Sequence, residues 1–257
     1  MPGLRGLIPA LGLALVLASP MAGAADPAIP LPAADKAQFD QLLGENVVGE
    51  ALPSPPLGAL GSYMPSAGLT MTFKVVSEDD EHKTETHQIK ETSDAAFAPG
   101  WHYTINGVGE LYLQQDAAGA VSSAAEIDHD HEVLTRFTPG DPLLVPGLKA
   151  GQSLTASHDV KVYDLDNLKK VSHSGTMEVT YTYIGTYRVT VPAGTFDAAL
   201  IKWQYTGKVG PAKIKDSQYR FLAPGTGMVA MIQIRSISAM LLYNDHAKRG
   251  KLLQGAQ

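Results

Sequence analysis

Ile201-Lys202-Trp203-Gln204-Tyr205-Thr206 decides the fold. Large apolar side chains occupy every second position and polar ones fill the gaps, which is the period of a half-buried strand. The alternation extends outward from this hexapeptide. Upstream it recurs in Leu69, Met71, Phe73 and Val75, in Trp101, Tyr103 and Ile105, and in Tyr187, Val189 and Val191. Downstream it recurs in Tyr219 and Phe221 and in Met228, Ala230, Ile232 and Ile234. Two long segments, Ser153 to Asp164 and Lys169 to Tyr183, meet at Asp166-Asn167 like a hairpin. Strands in series joined by tight turns predict a mainly β chain with an antiparallel sheet.

Departures from this period mark the remaining organisation. Asp35 followed by Phe39, Leu42, Leu43 and Gly44 predicts one short N-terminal helix, and Pro53-Ser54-Pro55-Pro56 reads as a linker. Lys83 to Thr92 is polar on both faces, so an edge or protruding hairpin is expected there. The proline-rich run Thr138 to Gly147 is expected to be ordered but irregular. Ahead of all this, Arg5 precedes an apolar run from Gly6 to Ala18, and Ala22-Gly23-Ala24 offers small residues where a signal peptidase cuts. That run is shorter than the ~20 residues of a bilayer span. The expected organisation is a signal peptide over 1–24, a helix and linker over 25–60, a β domain over 61–246 and a basic C-terminal tail over 247–257.

Composition excludes several function classes. There is no Cys, so neither a disulfide framework nor a thiol nucleophile is available. Removing 24 residues from 257 leaves a chain long enough to bury a core without staples. The net charge is −6 and the lysines are spread singly, which suits neither DNA nor RNA. No later segment has the ~18 consecutive apolar residues of a transmembrane helix.

Two segments carry a resemblance: Val189 to Ala198, VTVPAGTFDA, and Tyr219 to Val229, YRFLAPGTGMV. With PLLVPGLKAGQS at Pro142 to Ser153 they resemble an uncharacterised family of bacterial periplasmic proteins. That resemblance implies a curved half-barrel sheet like that of the lipoprotein carriers, and a periplasmic location. Family members usually carry Trp near Phe221, and the first half of the chain matches no such motif. It implies no catalytic residue. The same motifs have a direct physical reading, with Pro192 ending a ladder and Gly194 and Gly227 taking backbone conformations or close contacts that favour glycine.

Candidate chemistry is sparse. Glu126-Ile127-Asp128-His129-Asp130-His131-Glu132 is the one dense polar constellation. Read as a strand, it places His129 and His131 on one face, where they could share zinc or another divalent metal with a third ligand from His82, His87, His102 or His158. Tyr181, Tyr183 and Trp203 could line a ligand groove or simply fill the core. Ser153 lacks the G-x-S-x-G frame, no phosphate loop occurs, and no cofactor motif is present. The reading is a binding or interaction module for an apolar or amphiphilic small molecule or an envelope protein. The alternatives are a metal-dependent enzyme or metal-binding protein at His129 and His131, and a structural envelope protein without a pocket.

Overall fold

A computed structural model describes residues 26–58, 63–64, 68–77, 83–92, 100–239 and 243–257; the expected signal peptide and its cleavage site lie outside them. One helix, α1 (Ala33–Leu43), precedes thirteen strands among the described residues. They are β1 (Val48–Leu52), β2 (Thr70–Ser77), β3 (Lys83–Thr92), β4 (Gly100–Ile105), β5 (Gly109–Gln115), β6 (Val121–Asp128) and β7 (Val133–Leu144). There follow β8 (Ser153–Asp164), β9 (Val171–Val191), β10 (Gly194–Val209), β11 (Ala212–Ala223), β12 (Gly227–Ala239) and β13 (Tyr243–Ala256).

The antiparallel sheet is curved, as expected, and it closes. From β2 to β13 each strand pairs with its successor in the chain, and β13 returns to β2 through pairs from Arg249↔Ser77 to Ala256↔Met71. The result is a twelve-stranded up-and-down barrel with β1 as an added strand. β9 spans 21 residues and serves two neighbours along one edge. Its first half pairs with β8, and its far end pairs with β1 from Thr186↔Leu52 to Val189↔Val48. Register shifts at Leu200/Ile201, Phe221/Leu222 and Tyr112/Leu113 bend the strands as closure requires.

Two apolar cores follow from the alternation. On β11, Asp216, Gln218, Arg220 and Leu222 line the barrel lumen, while Tyr219 and Phe221 point outward. α1 covers that outward row. Phe39 meets Tyr219 and Phe221 edge-on, each with ring centroids 5.2 Å apart, and Leu42 and Leu43 lie over Gly250 of β13. The predicted helix residues are the ones buried. Asp35 does not cap the helix; it accepts a 2.7 Å hydrogen bond from the Tyr219 hydroxyl, and Gly44 ends the helix with φ 105°. The second core lies within the barrel around Trp203, Tyr181, Tyr183, Leu113 and Phe137.

Three segments differ from the sequence reading. β3 is no edge; it sits between β2 and β4 with Glu85, His87 and Ile89 buried. Residues 247–257, read as a basic tail, belong almost entirely to β13, which places Arg249 and Lys251 in the lumen. The run Thr138–Gly147 is less irregular than expected, since β7 carries it as far as Leu144 with shifted pairing to β6. Gly194 and Gly227 do adopt positive φ, 136° and 87°. No helix among the described residues is long and apolar enough to cross a membrane. The outer rows of β8 and β9 carry Ser153, Thr155, Ser157 and Asp159 opposite Thr182, Thr180, Glu178 and Thr176, a surface suited to water.

Candidate functional site

The barrel encloses a cavity of about 450 Å³, within the ~300–1,000 Å³ range of small-molecule sites. Its two ends differ because the strands deliver different residues to each. The β4–β5, β6–β7 and β10–β11 turns gather at one end. Near it, Glu126, Asp128, Asp216, Arg235 and Arg249 line the wall. Toward the opposite end the wall becomes Met71, Leu143, Leu144, Leu222 and Met228, and Tyr63 and Met64, which precede β2, also line the cavity.

Hydrogen bonds fix most of the luminal acids. Asp216 accepts from Gln218 and Gln233 Nε2 at 2.8 and 2.9 Å. Asp141 accepts a 2.8 Å bond from the Tyr205 hydroxyl, and its second oxygen faces His158 Nε2 at 3.6 Å. His158 Nδ1 lies 2.9 Å from the Pro139 carbonyl, so that nitrogen carries the proton. Glu85 takes contacts from Lys251 Nζ and from His87 Nε2, and His87 Nδ1 reaches the Tyr103 hydroxyl at 2.6 Å.

Burial sets the titration of these groups. It pushes Glu126 up to about 7, aided by the Asp141 charge. It pushes Asp141 up to about 6 against the Tyr205 hydrogen bond, and raises Asp216 against the bonds from both glutamines. Glu85 goes the other way. Burial would raise it, but the His87 hydrogen bond and the Lys251 charge outweigh that and hold it down at about 2. Burial pulls Lys251 and His87 below their ordinary values, with Glu85 opposing both shifts.

The cations are less well matched. Arg220 donates one 2.7 Å bond to Gln218 Oε1 and lies 4.9 Å over the Trp203 ring. Among the described residues no carboxylate pairs with Arg220 or Arg249, and the buried Nε–H of each has no acceptor.

The sequence candidates divide. Trp203 lines the cavity and donates a 2.7 Å bond to the Pro142 carbonyl. Tyr181 packs edge-on beneath it at 5.3 Å, and Tyr183 shares a 2.8 Å hydrogen bond with Thr186; both lie in the packed wall. Residues 129–132 form a turn, so the strand geometry expected of His129 and His131 is replaced. His131 folds onto Asp128, with Nδ1 2.9 Å from Oδ2. His129 instead reaches Glu110 Oε1 at 3.1 Å, while His102 takes the other oxygen at 2.6 Å. Among the described residues no group of three or more His, Asp or Glu is arranged to hold a metal ion. Apart from His87, the luminal groups on β3, β11 and β13 escaped the sequence reading. One signal was available: on β11 the apolar pair Tyr219 and Phe221 alternates with a row that includes Asp216, Gln218 and Arg220, so two environments flank one strand.

A family model described as DUF3108-like matches residues 134–233. No curated protein matches the chain. Three solved structures are similar at low identity. A protein described as a candidate lipoprotein of Parabacteroides distasonis is 15% identical, with TM-score 0.38 over 76% of this chain and 99% of its own. An exported protein with a YmcC-like fold from Bacteroides fragilis is 15% identical, with TM-score 0.34 and the same coverage of 76% and 99%. The hypothetical lipoprotein YmcC of Escherichia coli is 10% identical, with TM-score 0.36 over 87% and 97%.

Proposed function

We propose that this chain is an exported envelope module whose barrel lumen holds an amphiphilic small molecule. One observation carries the reading: the closed sheet surrounds about 450 Å³ of space, apolar toward one end and charged toward the other. A barrel built only for stability would fill its interior with side chains, as small barrels do. This one brings charged groups inward and leaves a gap between them and the apolar wall. Export is the companion expectation, resting on the apolar run before Ala22-Gly23-Ala24.

In the lumen Tyr103, His87 and Glu85 form one hydrogen-bonded chain, Asp141 is held by Tyr205, and Asp216 by two glutamines. These groups hold one another while Arg220 and Arg249 stand without a carboxylate among the described residues, an arrangement that suits holding a ligand. The test is native mass spectrometry of protein purified from its producing cells, with titration of the neutral dye N-phenyl-1-naphthylamine. A stoichiometric small-molecule adduct, or dye fluorescence that Leu113→Trp and Met177→Trp abolish without loss of folding, is expected. No adduct and no dye uptake would leave a purely structural barrel.

A further inference from the structure

Building on the amphiphile reading above, we propose that the charged end of the cavity binds an anionic head group, carboxylate or phosphate, through Arg220 and Arg249, with a single alkyl chain lying toward Leu222 and Met228. Sheet register places both guanidinium groups on one wall. Arg220 pairs with Met231 and Met231 with Lys251, while Gln218, Gln233 and Arg249 form the adjacent rung across β11, β12 and β13. All six of these residues line the cavity.

The partner census separates the acids from the arginines. Asp216 has two glutamine donors, Asp141 has Tyr205, and Glu85 has Lys251 and His87. Arg220 has one hydrogen bond, to a neutral amide, and Arg249 makes no ion pair among the described residues. Both arginines are half-buried with the Nε–H of each buried and lacking an acceptor, and the planar N–H fork of a guanidinium matches carboxylate and phosphate oxygens. Stacking on Trp203 holds the Arg220 plane in one orientation, so the fork is set before a ligand arrives. The direction of the tail follows from the walls, since Leu222 lies two residues beyond Arg220 on the same luminal row, toward the apolar end. The volume sits low in the range for small-molecule sites, which favours one chain over two. Glu126 stands in the same space and its ionised form opposes an anion, so the assay belongs near pH 6, below the value of about 7 to which burial raises it.

The experiment is calorimetry on the delipidated full chain at pH 6 with dodecanoate, dodecyl phosphate, dodecanol and inorganic phosphate. Dodecanoate or dodecyl phosphate should bind about tenfold or more tighter than dodecanol, the scale of a hydrogen bond to a charged group. Inorganic phosphate should bind far more weakly than its dodecyl ester. In Arg220→Gln/Arg249→Gln the preference should vanish while dodecanol binding persists. Equal affinity of wild type for all three alkyl probes overturns the head-group assignment and leaves the lumen reading standing. Inorganic phosphate binding as tightly as dodecyl phosphate overturns the chain's part. Failure of every probe overturns both proposals. Should the double variant not fold, the wild-type ratios decide alone.

Discussion

Glu126 and Asp141 make the stability of the barrel depend on pH, with a sign that follows from burial. Their folded pKa values, about 7 and about 6, lie above the ordinary 4.5 and 3.8. The stability they contribute is therefore complete below about pH 4 and is lost as pH rises through 6 and 7. Glu85 has the opposite sign: held down at about 2, its contribution is present above 4.5 and lost as pH falls toward 2. Denaturant midpoints should peak at about pH 4 to 4.5 and fall from there to about pH 7, and Glu126→Gln should flatten that decline. A profile level from pH 5 to 8 in the wild type would show that neither acid is buried as described. Trp203 is a different case, because its role was legible as one of a few large side chains in a strand period. Trp203→Ala removes the Pro142 bond, the Tyr181 edge contact and the Arg220 stack. It should cost about 3–5 kcal/mol in equilibrium unfolding. His129 and His131 were legible as residue types but not as geometry, since a turn at 129–132 with Glu132 at φ 53° turns them to separate partners.

Elements were readable where one face is apolar and the other polar, and obscure where both faces looked polar. β3 and β13 are the clear examples. Each carries charged residues on its luminal side, Glu85 and His87 on one and Arg249 and Lys251 on the other, so the usual inside-apolar rule fails. α1 was readable because Phe39, Leu42 and Leu43 need a partner surface, and Gly44 stops the helix. What the sequence did not disclose is the surface they cover, the outer face of β11 to β13. Gly250 is the contact that makes this docking close: a Cβ there would lie 2.5 Å from the Leu42 carbonyl oxygen and 2.9 Å from Leu43 Cδ2. Gly250→Val should lift α1 from the strands at a cost of about 1–3 kcal/mol. Limited proteolysis reads this directly, as faster cutting between Ala33 and Asn46 with the strands still protected. Unchanged protection would mean that the helix has room to shift.

At the scale of the molecule, the meander was legible and the closure was not. Local alternation shows each hairpin in turn, whereas nothing local says that residues 71–77 meet 249–256. The resemblance to half-barrel proteins pointed to curvature, and the pairing of β13 with β2 completes the circle. One cooperative unfolding transition with a β-dominated circular dichroism spectrum is expected, because every barrel strand depends on two neighbours. Two separate transitions would argue against a continuous ring. The same seam governs the order of events when the chain is made. Synthesis delivers β2 well before β13, so β2 and β12 must wait with open edges until the fourteen residues of β13 arrive. Contact between the two extremes of the sequence is the slow kind, set by loop closure across nearly the whole domain. A chain threaded through a membrane pore from its N-terminus could form hairpins on the far side, yet it could not lock until its tail had cleared the pore. Closure therefore waits on β13, and a chain with that strand still held in a pore would remain open, unlocked and able to unfold.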